Sequence, residues 1–319
     1  MKNMLAEKPR WLLIVNGKVA GNAQLREAVR ALREEGVELA VRVTWEGGDA
    51  GRFVGEALAL GVHTVVVAGG DGSLNEVASA LAEQALNGTA IPSLALLPLG
   101  TANDFARAAD LPLDVAQALR LPLSTPAVAM DVLQVTANNA RHWCVNLATG
   151  GFGTQVTVET DPELKRRLGG LAYVLTGLGR LGQVEPLRAA FRAEGFALET
   201  DFVVLGIGNG RQAGGGQVLC PDARSNDGLM DVTIVPLGGE RGEFFSLLAT
   251  AFSESQAAAL KQFAEVTRQS WLEIESASPL VLNLDGEPLA AEKFRIDCVP
   301  GHLQVHLPAA SPLLQPAAG

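Results

Sequence analysis

The sequence predicts two domains, a doubly wound α/β domain followed by a mainly antiparallel β-sandwich domain. The chain has 319 residues, more than the roughly 250–300 residues at which a single hydrophobic core stops growing. Its first third alternates apolar runs of strand length with segments of helical period, whereas short strands follow one another after about Ala127. Alternating strands and helices indicate a parallel sheet covered by helices, and consecutive strands indicate antiparallel sheets.

Four strand-helix units form the predicted α/β domain, residues 1–127. The strands are the apolar runs at 11–17, 39–44, 64–68 and 93–100. Apolar residues at helical spacing follow them, for example Leu74, Val77 and Leu81 after the third strand. Ligands of such sheets bind at the carboxyl ends of the strands, so the loops there are the first candidates for a functional site.

The second domain is predicted at residues 128–302. Its strands are expected at 128–135, 142–148, 187–191, 197–208, 230–235, 271–275, 280–285 and 294–299. Turn signals separate them, and helical patterns interrupt the series only at about 162–181 and 242–264.

The composition disfavours several classes of protein. The 25 basic and 35 acidic residues give a net charge of -10 at pH 7, which repels phosphate backbones, so no nucleic-acid partner is expected. The three cysteines lack a CxxC pair and the four histidines lack a metal-binding spacing, so neither a disulfide framework nor a zinc site is predicted. No signal-like or membrane-spanning apolar run is present, which predicts a cytoplasmic protein.

A glycine-rich junction follows the third strand, in the stretch VVVAGGDGSLNEV. Gly69, Gly70 and Gly72 permit positive φ and a close approach of the backbone to a ligand, and the next helix offers unpaired N–H groups to an anion. Ser73 and Glu76 also form a capping-box pattern, so a tight turn that only starts a helix remains an alternative. The junction has neither the lysine of a P-loop nor the GxGxxG spacing of a dinucleotide site.

A second junction, LPLGTANDFAR, follows the fourth strand. Gly100 ends the strand, and Thr101 and Asp104 are spaced as another helix cap. Thr44 ends the second strand at the same predicted edge. Because carboxyl ends of parallel strands share one edge, these loops are expected to converge on one crevice.

These two junctions together resemble the diacylglycerol kinase catalytic domain of bacterial lipid kinases and sphingosine kinases. Further blocks, including VRVTWEGGDA, NLATGGFGT, GIGNGRQAGGGQ, NDGLMDV and NLDGEPL, are similar to the YegS family of bacterial lipid kinases along almost the whole chain. The resemblance implies an ATP- and Mg²⁺-dependent kinase with an ATP-binding α/β domain and a β-sandwich on the lipid side. It also implies that the tail, residues 303–319, rejoins the first domain.

The resemblance assigns ATP contacts to the first domain. The implied residues are Thr44, Gly69, Gly70, Asp71, Gly72, Ser73, Leu74, Asn75, Glu76 and Thr101. Ser73 stands where relatives commonly have threonine, and it keeps the hydroxyl. Asp71 is also a candidate Mg²⁺ ligand, because magnesium prefers oxygen ligands.

Phosphoryl transfer also needs a group that accepts the hydroxyl proton. The stretch LVLNLDGEPL offers Asp285 and Glu287, two residues apart and thus on one face if the backbone is a strand. A β-hairpin with Asp-Gly at its turn is the structural alternative. The resemblance assigns the general base to Glu287, and Asp285 is the second candidate.

The stretch RSNDGLMD by itself is typical of a turn before a strand. The resemblance implies a structural metal there, Mg²⁺ or Ca²⁺, held by the carboxylate of Asp227 and the backbone carbonyls of Arg224 and Leu229.

The substrate implied by the resemblance is a membrane lipid, with phosphatidylglycerol favoured and diacylglycerol-type lipids next. Residues 164–182 mix basic and apolar side chains. This mixture suits transient contact with an anionic surface and a peripheral position at the inner membrane. An ordinary amphipathic helix that packs on the sandwich has the same pattern and remains an alternative. Two alternatives remain: an NAD kinase-like enzyme, which shares GGDG but lacks the LPLGTANDFAR and NDGLMD elements, and a non-catalytic regulator that binds lipid or nucleotide.

Overall fold

The computed structural model describes residues 8–151, 187–238 and 254–315, together with Phe244, Leu247, Leu248, Thr250 and Ala251. The chain divides into two compact units, Met1–Met130 with Gly301–Pro312, and Asp131–Pro300 with Leu313–Gly319. The first boundary therefore lies three residues beyond the predicted one, and the residues after Pro312 group with the second unit rather than the first.

The first unit is a parallel sheet with helices between its strands. Its elements are β1 (Arg10–Asn16), α1 (Ala23–Glu34), β2 (Glu38–Thr44), α2 (Asp49–Leu60), β3 (Thr64–Gly69), α3 (Asp71–Leu86), β4 (Ser93–Pro98), α4 (Asp104–Ala108) and α5 (Val115–Ser124). The sheet order is β4-β3-β1-β2 with every pair parallel. The predicted doubly wound α/β domain is confirmed.

The returning tail extends this sheet by one strand. Val305, near the end of strand β15 (Glu287–His306), pairs in parallel with Leu94 of β4. His306 is buried there, where Nδ1 lies 2.9 Å from the carbonyl oxygen of Thr125 and Nε2 lies 2.9 Å from Oγ of Ser93.

Alternating residues of β1 pack against different helices. Trp11, Leu13 and Val15 belong to one buried cluster with residues of α1 and α5. Leu12 and Ile14 are equally buried and point to the opposite face, since successive strand residues alternate. The helices α2 and α3 contact each other, and they contact β1 and β3 respectively. Layers of helices on both faces explain why the inner strands β1, β3 and β4 are almost entirely apolar.

The second unit is dominated by antiparallel strands. Its elements are β5 (Ala127–Ala137), β6 (Ala140–Cys144), β7 (Leu147–Gly151), β8 (Leu187–Ala193), β9 (Phe196–Gly208), β10 (Gln212–Ala213), β11 (Gln217–Val218), β12 (Met230–Pro236), α6 (Gln256–Phe263), β13 (Glu265–Gln269), β14 (Trp271–Leu284) and β15. The strand order β13-β12-β9-β7-β14-β15 is antiparallel throughout.

Two buried clusters fill this unit. Leu205 and Ile207 of β9 lie in one cluster with residues of β12 and β14, whereas Val203 and Val204 lie in the other, with Leu260 of α6. Apolar side chains on both faces of one strand show that the sheet is covered on both sides, which agrees with the predicted sandwich. Within the described ranges no helix is both long and apolar enough to cross a bilayer.

Candidate active site

The carboxyl ends of β1–β4 lie along one edge of the parallel sheet. The register of β1 and β2 sets Asn16 opposite Thr44, and that of β3 and β4 sets Gly69 opposite Pro98. The loops that the sequence singled out in the first domain therefore leave the sheet at the same edge, where doubly wound folds bind ligands.

Glycines allow two of these loops to touch. A Cβ built on Gly100 would lie 2.4 Å from Cα of Gly70, and a Cβ on Gly70 would lie 3.0 Å from Cα of Gly100. A Cβ on Gly69 would lie 2.5 Å from Oγ of Ser73. The contacts at Gly100 and Gly69 are too short for a side chain unless neighbouring atoms shift, and the contact at Gly70 is tight. Gly72 is different, because a Cβ there would have no neighbour within 4 Å.

The junction after β3 does not use the positive φ that glycine permits. Gly70 is extended, with φ -102° and ψ -166°, and neither Gly69 nor Gly72 has a positive φ. Ser73 was expected to be the N-cap, but α3 begins at Asp71, with Gly70 as an N-cap that offers no side chain. The strand runs extended into Gly70 and the helix follows at once, so Ser73 already lies inside the first turn.

This helix start leaves N–H groups available. The first intrahelical bond of α3 runs from the N–H of Leu74 to the carbonyl of Gly70. The N–H groups of Asp71, Gly72 and Ser73 precede it, and they have no acceptor among the residues that the structure describes. Unpaired N–H groups at the positive end of a 16-residue helix form a site for an anion.

The Asp71 carboxylate joins the two junctions. Its Oδ2 accepts a hydrogen bond from the N–H of Asp104 and its Oδ1 one from the N–H of Phe105, both at 3.0 Å. Asp71 therefore caps α4, a helix that begins 33 residues later in the chain. A carboxylate is well suited to this role because helix N-termini carry partial positive charge.

The predicted cap formed by Thr101 and Asp104 is wrong. Thr101 is exposed, and the N-cap of α4 is Asn103 in the left-handed conformation, with φ 52° and ψ 47°. The Asn103 side chain accepts from the N–H of Gly100 and donates to its carbonyl, both at 2.9 Å. Because Asn103 holds the loop in this way, Thr101 stays on the surface of the same edge.

Asn16 is a site residue that sequence reasoning missed. Its Nδ2 donates to Oγ of Ser73 at 2.8 Å, while its Oδ1 accepts from the N–H of Lys18 at 3.0 Å. The Ser73 hydroxyl is thus oriented by the end of β1, and its own proton remains to be donated. Lys18, which follows in an exposed turn at this edge, was also missed. The sequence feature that could have identified Asn16 is its position at the end of a predicted strand, directly before Gly17.

The last three residues of the predicted ATP-contact run, Leu74, Asn75 and Glu76, lie within α3. The side chain of Leu74 is buried in the hydrophobic core, and Asn75 is buried with its Oδ1 accepting from Oγ of Ser79 at 3.2 Å. Glu76 is exposed. The side chain of Leu74 therefore cannot contact a ligand at the sheet edge, whereas Asp71 and Ser73 are placed to do so.

The loop after Thr44 is held by Asp49. The Asp49 carboxylate accepts from the N–H groups of Trp45 at 2.7 Å and Glu46 at 3.2 Å. The pKa of Asp49 is lowered to about 2. The hydrogen bond from the Arg52 guanidinium contributes most to this shift, and the bonds from these two N–H groups contribute next. Trp45 nevertheless keeps 93% of its surface exposed, so the loop presents an aromatic ring beside Thr44.

Asp285 in the second unit lies in a hairpin turn. Asp285 and Gly286 have φ of 51° and 107° between the paired residues Leu284 and Glu287. Left-handed residues at both central positions are typical of a two-residue turn with the Asp-Gly sequence. The expectation that Asp285 and Glu287 share one strand face is therefore wrong, and the hairpin alternative is confirmed.

The Asp285 carboxylate binds backbone. It accepts from the N–H groups of Val145 at 2.6 Å, Leu147 at 2.9 Å and Asn146 at 3.2 Å. Burial raises the pKa of Asp285, and the N–H groups of Leu147 and Val145 oppose that rise. These contacts fix the link between β6 and β7 and make Asp285 a positioning residue, while Glu287 begins β15 with its side chain exposed.

The Asp227 site does not fit the expected metal. Oδ1 of Asp227 accepts from the N–H of Leu229 at 3.0 Å, and Oδ2 forms an ion pair with Arg268. The Arg268 guanidinium thus lies beside Oδ2, where it would repel a divalent cation bound to the same carboxylate. Arg224 donates from its guanidinium to the carbonyl of Leu314, a contact that fixes its side chain rather than its backbone carbonyl.

Some predicted features fall outside the described residues. These are the basic and apolar segment at 164–182 and the last part of the NLATGGFGT block, at 152–154.

Family models match both domains. The diacylglycerol kinase catalytic domain matches residues 10–135, and the YegS C-terminal NAD kinase beta sandwich-like domain matches residues 147–307. Together they cover most of the chain, in the order that the two units require.

Similar proteins extend over nearly the whole chain. A protein of Xanthomonas euvesicatoria pv. vesicatoria named "Probable lipid kinase YegS-like" is 56% identical over 304 residues, which cover 95% of this chain and 98% of that protein. A Pseudomonas aeruginosa protein of the same name is 51% identical, with 97% and 98% covered.

Solved structures support the same fold. The crystal structure of a diacylglycerol kinase from Bacillus anthracis aligns with a TM-score of 0.70 at 23% identity, covering 95% of this chain and 98% of that one. A second crystal structure from that organism aligns with a TM-score of 0.78 at 25% identity, covering 97% and 98%. With both domains and the relatives in agreement, the chain belongs to the YegS family of lipid kinases, which carry a diacylglycerol kinase catalytic domain and a β-sandwich domain.

Proposed function

We propose that this lipid kinase transfers a phosphoryl group from ATP, with Mg²⁺, to a hydroxyl of a membrane lipid. The observation that carries the proposal is the start of α3, where three consecutive N–H groups lack an acceptor among the described residues at the ligand-binding edge of the sheet. Backbone N–H groups and the helix dipole supply the positive potential that a P-loop lysine supplies elsewhere.

The surrounding residues suit a triphosphate. The Ser73 hydroxyl, oriented by Asn16, donates to a phosphate oxygen. Thr44, at the end of β2, and Thr101, after Gly100, offer further hydroxyl donors at the same edge of the sheet. Gly70 and Gly100 keep the two loops together with no side chain between them. These groups hold and orient ATP by backbone and hydroxyl contacts.

The Asp71 carboxylate is suited to bind the Mg²⁺ ion of the nucleotide. Each of its oxygens accepts one N–H bond and keeps a further lone pair. Mg²⁺ bound to ATP neutralises part of the phosphate charge during phosphoryl transfer. In this proposal Asp71 has two roles, since it also fixes α4.

Glu287 is the proposed general base, which accepts the proton of the lipid hydroxyl. Its side chain is exposed, and no hydrogen bond or ion pair engages it among the described residues. Asp285 acts through position, because its oxygens hold the N–H groups of the β6–β7 link.

The lipid is proposed to be phosphatidylglycerol, with diacylglycerol-type lipids next. The basic and apolar sequence of residues 164–182 supports transient contact with an anionic bilayer, and we place the enzyme in the cytoplasm at the inner membrane surface. Neutralising the basic residues of that segment should weaken binding to anionic vesicles and leave ATP binding intact.

A substrate panel tests the proposal directly. The protein is incubated with ATP labelled at the γ-phosphate, Mg²⁺ and vesicles that contain phosphatidylglycerol, diacylglycerol, ceramide or sphingosine, with NAD as a soluble arm. Label in phosphatidylglycerol is expected. Label in NAD alone would replace the proposal with the NAD kinase-like alternative, and ATP binding without any labelled product would favour the non-catalytic regulator.

Glu287→Gln tests the base. Loss of general-base catalysis typically costs about 10²–10⁴-fold in rate, so phosphate transfer should fall by at least ~100-fold while ATP affinity and Tm stay at parent values. Glu292→Gln is the matched control, because Glu292 is an exposed glutamate of the same strand. Near-parent turnover in Glu287→Gln would remove this residue from the mechanism.

A further inference from the structure

An arginine lies on the carboxylate that was expected to bind a structural metal. Asp227 precedes β12, and Arg268 lies on the neighbouring strand β13, where it pairs in register with Asp231. The Arg268 guanidinium forms an ion pair with Oδ2 of Asp227, and its Nε lies 3.5 Å from Oδ2 of Asp231. One guanidinium thus faces two carboxylates.

These carboxylates are deeply buried. The side chain of Asp227 is 1% exposed, that of Asp231 is 4% exposed, and Asp131, whose Oδ2 accepts from the N–H of Gly228 at 2.7 Å, is 2% exposed as a residue. Oδ2 of Asp231 has no hydrogen-bond donor within the described part of the chain. Buried charges of one sign are costly unless a counter-charge is present.

The geometry of the cluster calls for a cation, because three buried carboxylates lie close to one another around the start of β12. Among the described residues, Arg268 is the cation whose guanidinium contacts two of them.

We infer that Arg268 is a built-in counter-ion that replaces the divalent metal expected at Asp227, so the second unit folds without metal there. A guanidinium supplies positive charge and several N–H donors in one plane, which lets it serve two carboxylates at once. The side chain of Arg268 is 44% exposed, so removing it opens the cluster to solvent ions. This inference concerns the fold of the second unit and is independent of the proposed substrate.

Metal content and thermal stability test the inference in the full chain without nucleotide. The purified parent protein is expected to hold no stoichiometric divalent ion by elemental analysis. Its Tm should change by less than about 1 °C in EDTA, in millimolar MgCl₂ or in millimolar CaCl₂. Stoichiometric metal, or a clear fall in Tm with EDTA, would overturn the inference without any variant.

Arg268→Ala should convert the site into a cation site. Its Tm in EDTA is expected to fall by roughly 5 °C, because buried Asp227 loses its partner, and Mg²⁺ or Ca²⁺ should restore at least half of that fall. Arg188→Ala is the matched control, since Arg188 forms exposed ion pairs with Glu199 and Asp201 on the same unit. It should show no metal response.

The double variant Asp227→Asn with Arg268→Ala completes the test. It removes the carboxylate together with its counter-ion, so the metal response of Arg268→Ala should disappear. An Arg268→Ala protein whose Tm ignores divalent ions would overturn the inference, as would a metal response that survives in the double variant. If Arg268→Ala fails to fold, the metal content and EDTA response of the parent still decide the matter.

Discussion

Asp71→Asn is expected to destabilise the first unit. The two carboxylate oxygens accept two different N–H groups, from Asp104 and Phe105. An asparagine has one carbonyl oxygen for both, and its NH₂ group would face the second N–H. Loss of one hydrogen bond to a charged acceptor costs about 1.5–3 kcal/mol, which corresponds to a fall in Tm of roughly 4–8 °C at about 2 kcal/mol.

The matched control is Asp114→Asn. Asp114 is the N-cap of α5 and accepts a single hydrogen bond, from the N–H of Gln117 at 2.9 Å. Asparagine is as good an N-cap as aspartate when one acceptor is enough, so the Tm should change by less than about 1 °C. The difference in Tm between the two variants therefore measures the contribution of the second carboxylate oxygen of Asp71.

Thermal unfolding followed by circular dichroism gives the stability effect, and kinase assays well below both Tm values give the catalytic effect. Asp71→Asn should need more Mg²⁺ for half-maximal rate if its carboxylate also serves the metal. An unchanged Tm would refute the structural role derived from the two N–H bonds. An unchanged Mg²⁺ dependence would leave only that structural role.

Three further predictions test the geometry of the first unit. Gly100→Ala should lower ATP affinity at least ~10-fold, because its Cβ would push the touching loops apart. Gly55→Ala is the control, since a Cβ there would have no neighbour within 4 Å, and it should leave the affinity unchanged. Equal ATP affinities of the two variants would contradict this reasoning. Single alanine variants of Asn16 and Ser73 should each cost about 1 kcal/mol and be non-additive in a double-mutant cycle, and additivity would contradict their hydrogen bond. Burial lowers the pKa of His306 from 6.5, so its contribution to stability is full above pH 6.5 and is lost as pH falls. His306→Gln should reduce this slope in denaturation measurements between about pH 7 and 5.

The elements of the fold could be predicted because the sequence is locally consistent. Apolar runs such as Val65–Ala68 are buried on both faces, and the helix spacing of Leu74, Val77 and Leu81 matches its buried side. The Asp-Gly pair before Glu287 could be interpreted in two ways, because its local sequence does not determine its conformation. Two adjacent residues can continue a strand or close a hairpin, and only the partner strand decides between them.

The contacts of the site could not be predicted, because they join residues far apart in the chain. Asp71 finds its donors 33 and 34 residues later, Asn16 lies 57 residues from Ser73, and Asp285 lies 140 residues from Val145. Arg268 lies 41 residues from Asp227 and carries no motif. Sequence patterns identified the carboxylates, but a carboxylate looks the same in sequence whether it binds a metal, a guanidinium or a backbone N–H.

Asp71 and Asp285 show why this ambiguity matters for function. Each was a candidate for direct chemistry, and each holds the backbone of another loop within its own unit, α4 in the first and the β6–β7 link in the second. Glu287, two residues beyond Asp285, has no such engagement among the described residues, and its exposed carboxylate remains able to accept a proton. The same turn therefore separates the positioning carboxylate of Asp285 from that of Glu287, the proposed general base, because the left-handed Asp285 turns inward while the strand that follows presents Glu287 to solvent.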